Sequence, residues 1–367
     1  MQKNCLLACS ILVSVLGCSE TAPKSPPEPR TETTESDRYI GELVFPTTDG
    51  KIRSMQVVGD HVYFHQNGKS KGTIKRVTVD GHNPQTLYTQ GNGFVVEGPY
   101  TDGENVFWQE PATGNPFYRF DVKAEKTEEF LNVSENFIPP FFDDEYAYFF
   151  GDRPVPHGSG KMELTRFPKA GGKPEKIGTA AKDMFMGTTW AVHAGNYYRV
   201  ADIEPDPDHS ELSTLIVSAL SGNTAEHREV AIYNRSQTPN TLTPKLQVAN
   251  DTLYFVQRDG LRSMVVGVDL SAQNGLQIPK PVSSTQISTN RFHVDKDRLY
   301  FSGKAPALKE SVFDSNPAIY TQQIGSNEIK MLAFDNGAHS VATDATHVYW
   351  VNHDGIYRTP KDGSRSR

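Results

Sequence analysis

The chain has 367 residues, 37% hydrophobic and 22% charged, with 37 basic against 44 acidic side chains and a net charge of −7. That mild acidity, with no dense basic stripe, argues against nucleic acid as a partner and against strong adsorption to anionic lipid. All three cysteines, Cys5, Cys9 and Cys18, lie at the N-terminal end, so the remaining chain has no means of forming a disulfide, a thiolate metal site or a cysteine nucleophile.

Residues 1–17 read as a secretory signal. Lys3 precedes an apolar run over 5–16 that is too short to span a bilayer and ends in small residues. Val15-Leu16-Gly17-Cys18 resembles the lipobox of bacterial lipoproteins. By that resemblance Cys18 is lipidated on sulfur, becomes the new N-terminus and is acylated on its amine, palmitate being among the chains expected. Several acyl chains hold a protein on a membrane where one is marginal. In that family's pattern an Asp after the cysteine favours inner-membrane retention. Ser19 therefore implies the outer membrane, with the domain on its periplasmic or surface side. Residues 18–38 form a tether, where Pro23, Pro26, Pro27 and Pro29 alternate with polar and charged residues and almost nothing apolar is available to bury.

From residue 39 to 367 the chain repeats itself. An apolar–aromatic strand core appears as Val62-Tyr63-Phe64, Val106-Phe107-Trp108, Ala147-Tyr148-Phe149, Asn196-Tyr197-Tyr198, Leu253-Tyr254-Phe255, Leu299-Tyr300-Phe301 and Val348-Tyr349-Trp350. The central residues stand 44, 41, 49, 57, 46 and 49 positions apart. Short strands at that period are the signature of a β-propeller, an all-β fold whose blades share one ring. In the first repeat the pattern predicts strands over 54–58, 61–65, 73–79 and 85–89, with Gly59-Asp60 and Asp80-Gly81 as turns. A third-strand motif recurs as Ile74-Lys75-Arg76-Val77, Phe117-Tyr118-Arg119-Phe120, Leu164-Thr165-Arg166-Phe167 and Ile356-Tyr357-Arg358-Thr359. Weaker versions lie at 215–219, 264–268 and 318–322. The last repeat stops after its third strand, and residues 39–45 form a strand with no repeat of their own. Pairing the two removes an open edge. The expectation is seven four-stranded blades with the N-terminal strand closing the last.

The segment 343–350, followed by Ile356-Tyr357-Arg358-Thr359-Pro360-Lys361-Asp362-Gly363, resembles the TolB-like propellers of secreted bacterial proteins and lipoproteins. What the resemblance implies is an envelope propeller, often one that binds protein. The motifs describe blades and no reaction.

Chemistry is sparse. There is no phosphate-binding glycine loop, no Gly-x-Ser-x-Gly elbow and no His-Glu-x-x-His. Three weaker constellations remain. The acidic stretch 204–211 alternates carboxylates that suit Ca²⁺, although a solvated loop is the plainer reading. Histidines His61, His65, His193, His293, His339, His347 and His353 lie in or near strands, and His193, His293 and His339 converge if all three line the channel. Polar residues at the entry to inner strands, Glu97, Lys245, Arg291 and His339, are candidates for a channel-mouth binding site. Arg76, Arg119, Arg166 and Arg358 read as structural pairs between blades or stems on aromatic rings.

These features point to a membrane-anchored, non-catalytic propeller that binds an envelope protein or peptide and needs no cofactor. The alternatives are a glycan or small-molecule binder, with Ca²⁺ at 204–211, and a propeller enzyme of lyase or hydrolase type that uses channel histidines and carboxylates.

Overall fold

The computed structural model describes residues 39–48, 50–69, 71–90, 97–110, 116–132, 140–151, 161–170, 172–181, 190–202, 212–219, 227–234, 246–259, 262–272, 277–283, 292–304, 317–335 and 337–364. The signal, Cys18, the tether, the 204–211 loop, Lys245 and Arg291 lie outside the described residues.

Every regular element among the described residues is a β-strand. The first sheet runs β2 (Lys51–Val58), β3 (His61–Asn67), β4 (Gly72–Thr78) and β5 (Gln85–Gln90) in spatial order. The second is β6 (Glu97–Thr101), β7 (Asn105–Gln109), β8 (Pro116–Asp121) and β9 (Lys126–Asn132). The third is β10 (Phe141–Phe142), β11 (Tyr146–Gly151), β12 (Lys161–Pro168) and β13 (Glu175–Ala181). The fourth is β14 (Trp190–His193), β15 (Asn196–Asp202), β16 (Leu212–Ala219) and β17 (His227–Asn234). The fifth is β18 (Gln247–Ala249), β19 (Thr252–Asp259), β20 (Arg262–Asp269) and β21 (Lys280–Pro281). The sixth is β22 (Phe292–Asp295), β23 (Arg298–Lys304), β24 (Pro317–Gln323) and β25 (Ile329–Phe334). The last is β26 (Ser340–Thr343), β27 (His347–Val351) and β28 (Gly355–Pro360), and its outer strand is β1 (Glu42–Pro46).

The second strand of each sheet explains the repeat. It is covered on both faces, so it reads as a continuous apolar run rather than an alternating one. Tyr63 and Phe64 are both fully buried, yet they point to opposite neighbours. Phe64 packs with Tyr349 and Val351 of the last sheet. Tyr63 packs with Val106, Trp108 and Phe120 of the second. The same alternation joins Phe107 to Phe149, Tyr254 to Phe301 and Tyr300 to Trp350. Each such buried side chain contributes about 1.5–3 kcal/mol.

β1 pairs antiparallel with β28, placing Glu42 opposite Arg358 and Pro46 opposite Gly355. The ladder begins at Glu42 rather than at residue 39. Gly41, at φ +92°, turns the chain beneath Trp350, and a Cβ there would sit 2.4 Å from Trp350 Cη2. Tyr39 is diverted to the sixth sheet, where its carbonyl accepts from Phe334 N at 2.8 Å. The predicted strands of the first repeat all form, most with a residue or more added at an end.

The recurring arginines are structural. Each stands opposite a second-strand aromatic: Arg76 by Tyr63, Arg119 by Phe107, Arg166 by Tyr148 and Arg358 by Tyr349. On the other side each faces an acceptor of the fourth strand: Gln85, Glu128, Glu175 and Glu42. Three also reach the following sheet. Arg358 Nη1 donates to Val79 O at 2.6 Å, Arg76 Nη2 to Glu125 at 2.9 Å and Arg119 Nη1 to Lys169 O at 3.3 Å.

Candidate functional site

The turns from first to second strand bring ten carboxylates to one end of the inner strands. Asp60, Asp102, Glu104, Asp143, Asp144, Glu145, Asp251, Asp295, Asp297 and Asp344 all lie at or beside these turns, against two cations, Lys296 and Arg298. Several of these aspartates build the turn itself. Asp344 accepts from the backbone N–H of Thr346 and His347 at 2.6 and 2.7 Å, and from Tyr349 OH at 2.6 Å. Asp143 does the same with Glu145 N, Tyr146 N and Tyr148 OH. Asp102 holds Glu104 N and Asn105 N, with the Asn105 amide replacing the phenol.

Burial alone would raise the Asp344 carboxyl, but the Tyr349 hydroxyl and the two N–H donors outweigh it and hold the group below its ordinary range. Burial, followed by the partnered carboxylate, pushes the Tyr148 and Tyr349 hydroxyls well up.

A cavity of about 560 Å³ opens among these turns, lined by the ends of β6, β10, β14 and β18. Its polar walls are Asp102, Asp143, Asp144, Lys169 and His193, and its apolar floor includes Phe141, Ala191 and Leu246. Lys169 Nζ donates to Asp102 O at 3.1 Å, which fixes that lysine at the rim. Asp144 is exposed, with a carboxylate outside the turn-building set. His193 Nε2 stands 2.9 Å from Asp251 Oδ1 of the fifth sheet, a contact whose carboxylate is 67% exposed. The pair bridges two sheets at the edge of the cavity and can hold or pass a proton. A second cavity of about 630 Å³ lies between the sixth and last sheets, and two of its four cations are engaged internally: Lys361 with Asp295 and Asp344 O, Lys330 with Asp362 O.

The sequence-predicted residues distribute differently. Glu97 is the first residue of β6, opposite Gln109. His339 precedes β26, with Nε2 2.8 Å from Ile52 O, tying the last sheet to the first. His293 lies on β22 opposite Tyr300. Of the predicted residues that are among the described ones, only His193 lines the 560 Å³ cavity. Among the described residues no group of three or more His, Cys, Asp or Glu is placed to hold a metal ion. The 204–211 stretch proposed for Ca²⁺ is outside them. Asp143 and Asp144 were not singled out in the sequence. The signal that marks their turn was there: an Asp five residues before a Tyr, in Asp143…Tyr148 and again in Asp344…Tyr349.

No protein-family model matches the sequence, and no curated protein matches it significantly. Similar solved structures do exist. Acylaminoacyl peptidase from Pyrococcus horikoshii matches at 9% identity and TM-score 0.58 over 88% of this chain, which spans about half (52%) of that one. An oligogalacturonate lyase in complex with manganese matches at 9% identity and TM-score 0.57, over 89% of this chain and 99% of that one. The β-propeller domain of the Trilobed protease from Pyrococcus furiosus, which has an open velcro topology, matches at 9% identity and TM-score 0.55, over 86% and 96%. At such identities the likeness is one of fold, and with the sheet topology it makes this chain an all-β β-propeller with four-stranded antiparallel blades.

Proposed function

We propose that the protein is a lipid-anchored envelope propeller that binds a protein or peptide partner without turning it over. In this reading the seven sheets are the blades of one closed ring, residues 1–17 are the cleaved signal, and Cys18 carries the lipid at the outer membrane. The 18–38 segment is the tether. The partner presents a lysine- or arginine-bearing segment to the cavity among the first-to-second-strand turns. The observation that carries this is the 560 Å³ cavity with Asp144 uncommitted on its wall and carboxylates on nearly every surrounding turn. Three aspartates against one lysine leave the cavity wall acidic on balance, and an excess of one sign of charge raises encounter rates with the opposite sign.

The test is crosslinked capture of the tagged full-length lipoprotein from detergent-solubilised envelope, beside an Asp144→Lys variant. A stoichiometric partner in the first preparation that is depleted in the second supports the reading. Equal recovery from both refutes the assignment of the cavity.

The enzyme reading has one observation in its favour, the His193–Asp251 contact beside the same cavity. A hydrolase or lyase reaction would use His193 as base with Asp251 holding the ring. Turnover of an envelope glycan or peptide that His193→Gln abolishes would establish it.

A further inference from the structure

The interface between the first two sheets contains polar atoms that its packing does not satisfy. His65 on β3 is 1% exposed and its Nε2 has no hydrogen-bond partner. Gln90, at the end of β5, is 2% exposed and neither atom of its amide is paired. Trp108 on β7 is fully buried and its Nε1–H is unpaired. Strand alternation puts them on one interface. His65 shares a face of β3 with Tyr63, which packs on Trp108. Ile74 stands opposite both His65 and Tyr88, and Gln90 follows Tyr88 on its face. The Tyr88 and Trp108 rings are 5.8 Å apart. Buried polar atoms without partners are rare, and each calls for an explanation.

We propose that this interface is an acid-sensitive joint of the propeller, with His65 as the group that takes the proton. Protonation places a cation in a buried interface that also holds a neutral amide and an indole donor, with no carboxylate paired to His65 among the described residues. The surrounding charges do not offset it. Arg53 on β2 repels a second cation, and Arg76 on β4 is paired with Glu125. From β5 and β8 the titratable groups are the hydroxyls of Tyr88 and Tyr118. The Glu110 carboxylate after β7 accepts from both of them. β6 adds Tyr100. Burial, followed by Arg53, pushes the His65 imidazole down to about 4, in keeping with that geometry.

The sign follows from linkage. A histidine whose folded value lies below its unfolded value leaves stability intact above about 6.5 and removes it as pH falls toward 4. Between pH 7.5 and pH 5 the opening equilibrium of a unit containing His65 rises about 30-fold on those two values. The proposal is distinct from the partner-binding reading, since the joint lies between two sheets and needs no ligand.

The test is amide hydrogen exchange of the full-length protein at pH 7.5 and pH 5, corrected for intrinsic rates, beside a His65→Gln variant. The joint is supported if protection across β3–β8 falls about 30-fold in the native sequence and only a few-fold in the variant. It is overturned if both proteins change alike, or if the loss is spread evenly over all the sheets. Should His65→Gln not fold, histidine-labelled NMR of the native protein decides the matter. An imidazole titrating below pH 5 supports the joint, and one titrating near 6.5 overturns it.

Discussion

Substituting alanine for Gly355 tests whether β1 truly closes the last sheet. Gly355 lies opposite Pro46 at the first rung of β28, and its φ is not in the left-handed region, so an alanine there meets no backbone strain of its own. The obstacle is contact: an added Cβ would lie 2.2 Å from Phe45 O and 2.9 Å from Leu43 Cδ1. Relief requires about 1 Å of strand displacement to restore ordinary carbon–oxygen contact, which forfeits the rungs at Pro46 and Phe45. Two backbone hydrogen bonds are worth about 1 kcal/mol each, and overpacking adds about 1–3 kcal/mol, so Gly355→Ala should cost about 3–5 kcal/mol. The matched control is Gly59→Ala. Gly59 has φ +59° and no heavy atom within 4 Å of an added Cβ, so only the left-handed backbone is penalised, by about 1–2 kcal/mol. Equilibrium denaturation gives the two costs, and hydrogen exchange locates them. The Gly355 variant should lose protection in β1 and around the Phe45–Phe64 contact, where the rings are 4.9 Å apart. If Gly355→Ala costs no more than Gly59→Ala, or spares β1, then β1 does not hold the edge of β28.

Arg119→Ala removes a guanidinium that joins Glu128, Lys169 O and the Phe167 ring, and should destabilise by about 1–3 kcal/mol in denaturant, with Arg119→Lys recovering less than half. Asp344→Ala leaves the N–H groups of Thr346 and His347 and the Tyr349 hydroxyl without their acceptor, for a loss of about 2–3 kcal/mol by thermal or chemical unfolding. Because its folded carboxyl lies below the ordinary value, Asp344 stabilises fully above about pH 4 and less as pH falls further. The native-minus-variant difference should shrink in that acid range and be flat from pH 5 to 8. Cys18→Ala should move the protein from the membrane fraction to the soluble fraction on cell fractionation, and its retention on the membrane would refute the lipid anchor.

The blades were legible in the sequence because Tyr63-Phe64 and its counterparts are covered on both sides, which produces an unbroken apolar word at each repeat. The arginines were legible because register puts Arg76 opposite Tyr63 and Arg358 opposite Tyr349, so the two strands vary together. The cavity was harder to see. Its walls come from turn aspartates and from β10, a strand of two residues, and nothing periodic announces them. Residues at the opposite ends of the inner strands, Glu97 and His339, carry similar polarity, and composition does not distinguish the two ends. The unpaired amide of Gln90 was invisible for another reason: a glutamine at a strand end is ordinarily solvated, and its burial here comes from tertiary packing that the sequence does not announce.

The salt bridge between Glu42 and Arg358 spans 316 positions of the chain. Joining points so distant costs about 5 kcal/mol in loop-closure entropy if nothing between them is yet ordered. The pairing of β1 with β28 therefore has the least to gain early and the most to gain once the strands between them are ordered. Ribosomes add about 5–20 residues per second, so β1 emerges roughly 15–60 seconds before its partner β28. For that interval the strand that ends as a fastener is an unpaired edge, bearing Leu43 and Phe45, and the order of synthesis exposes it longest of all. Whatever keeps the nascent chain apart from its neighbours must act on the first strand and release it to the last.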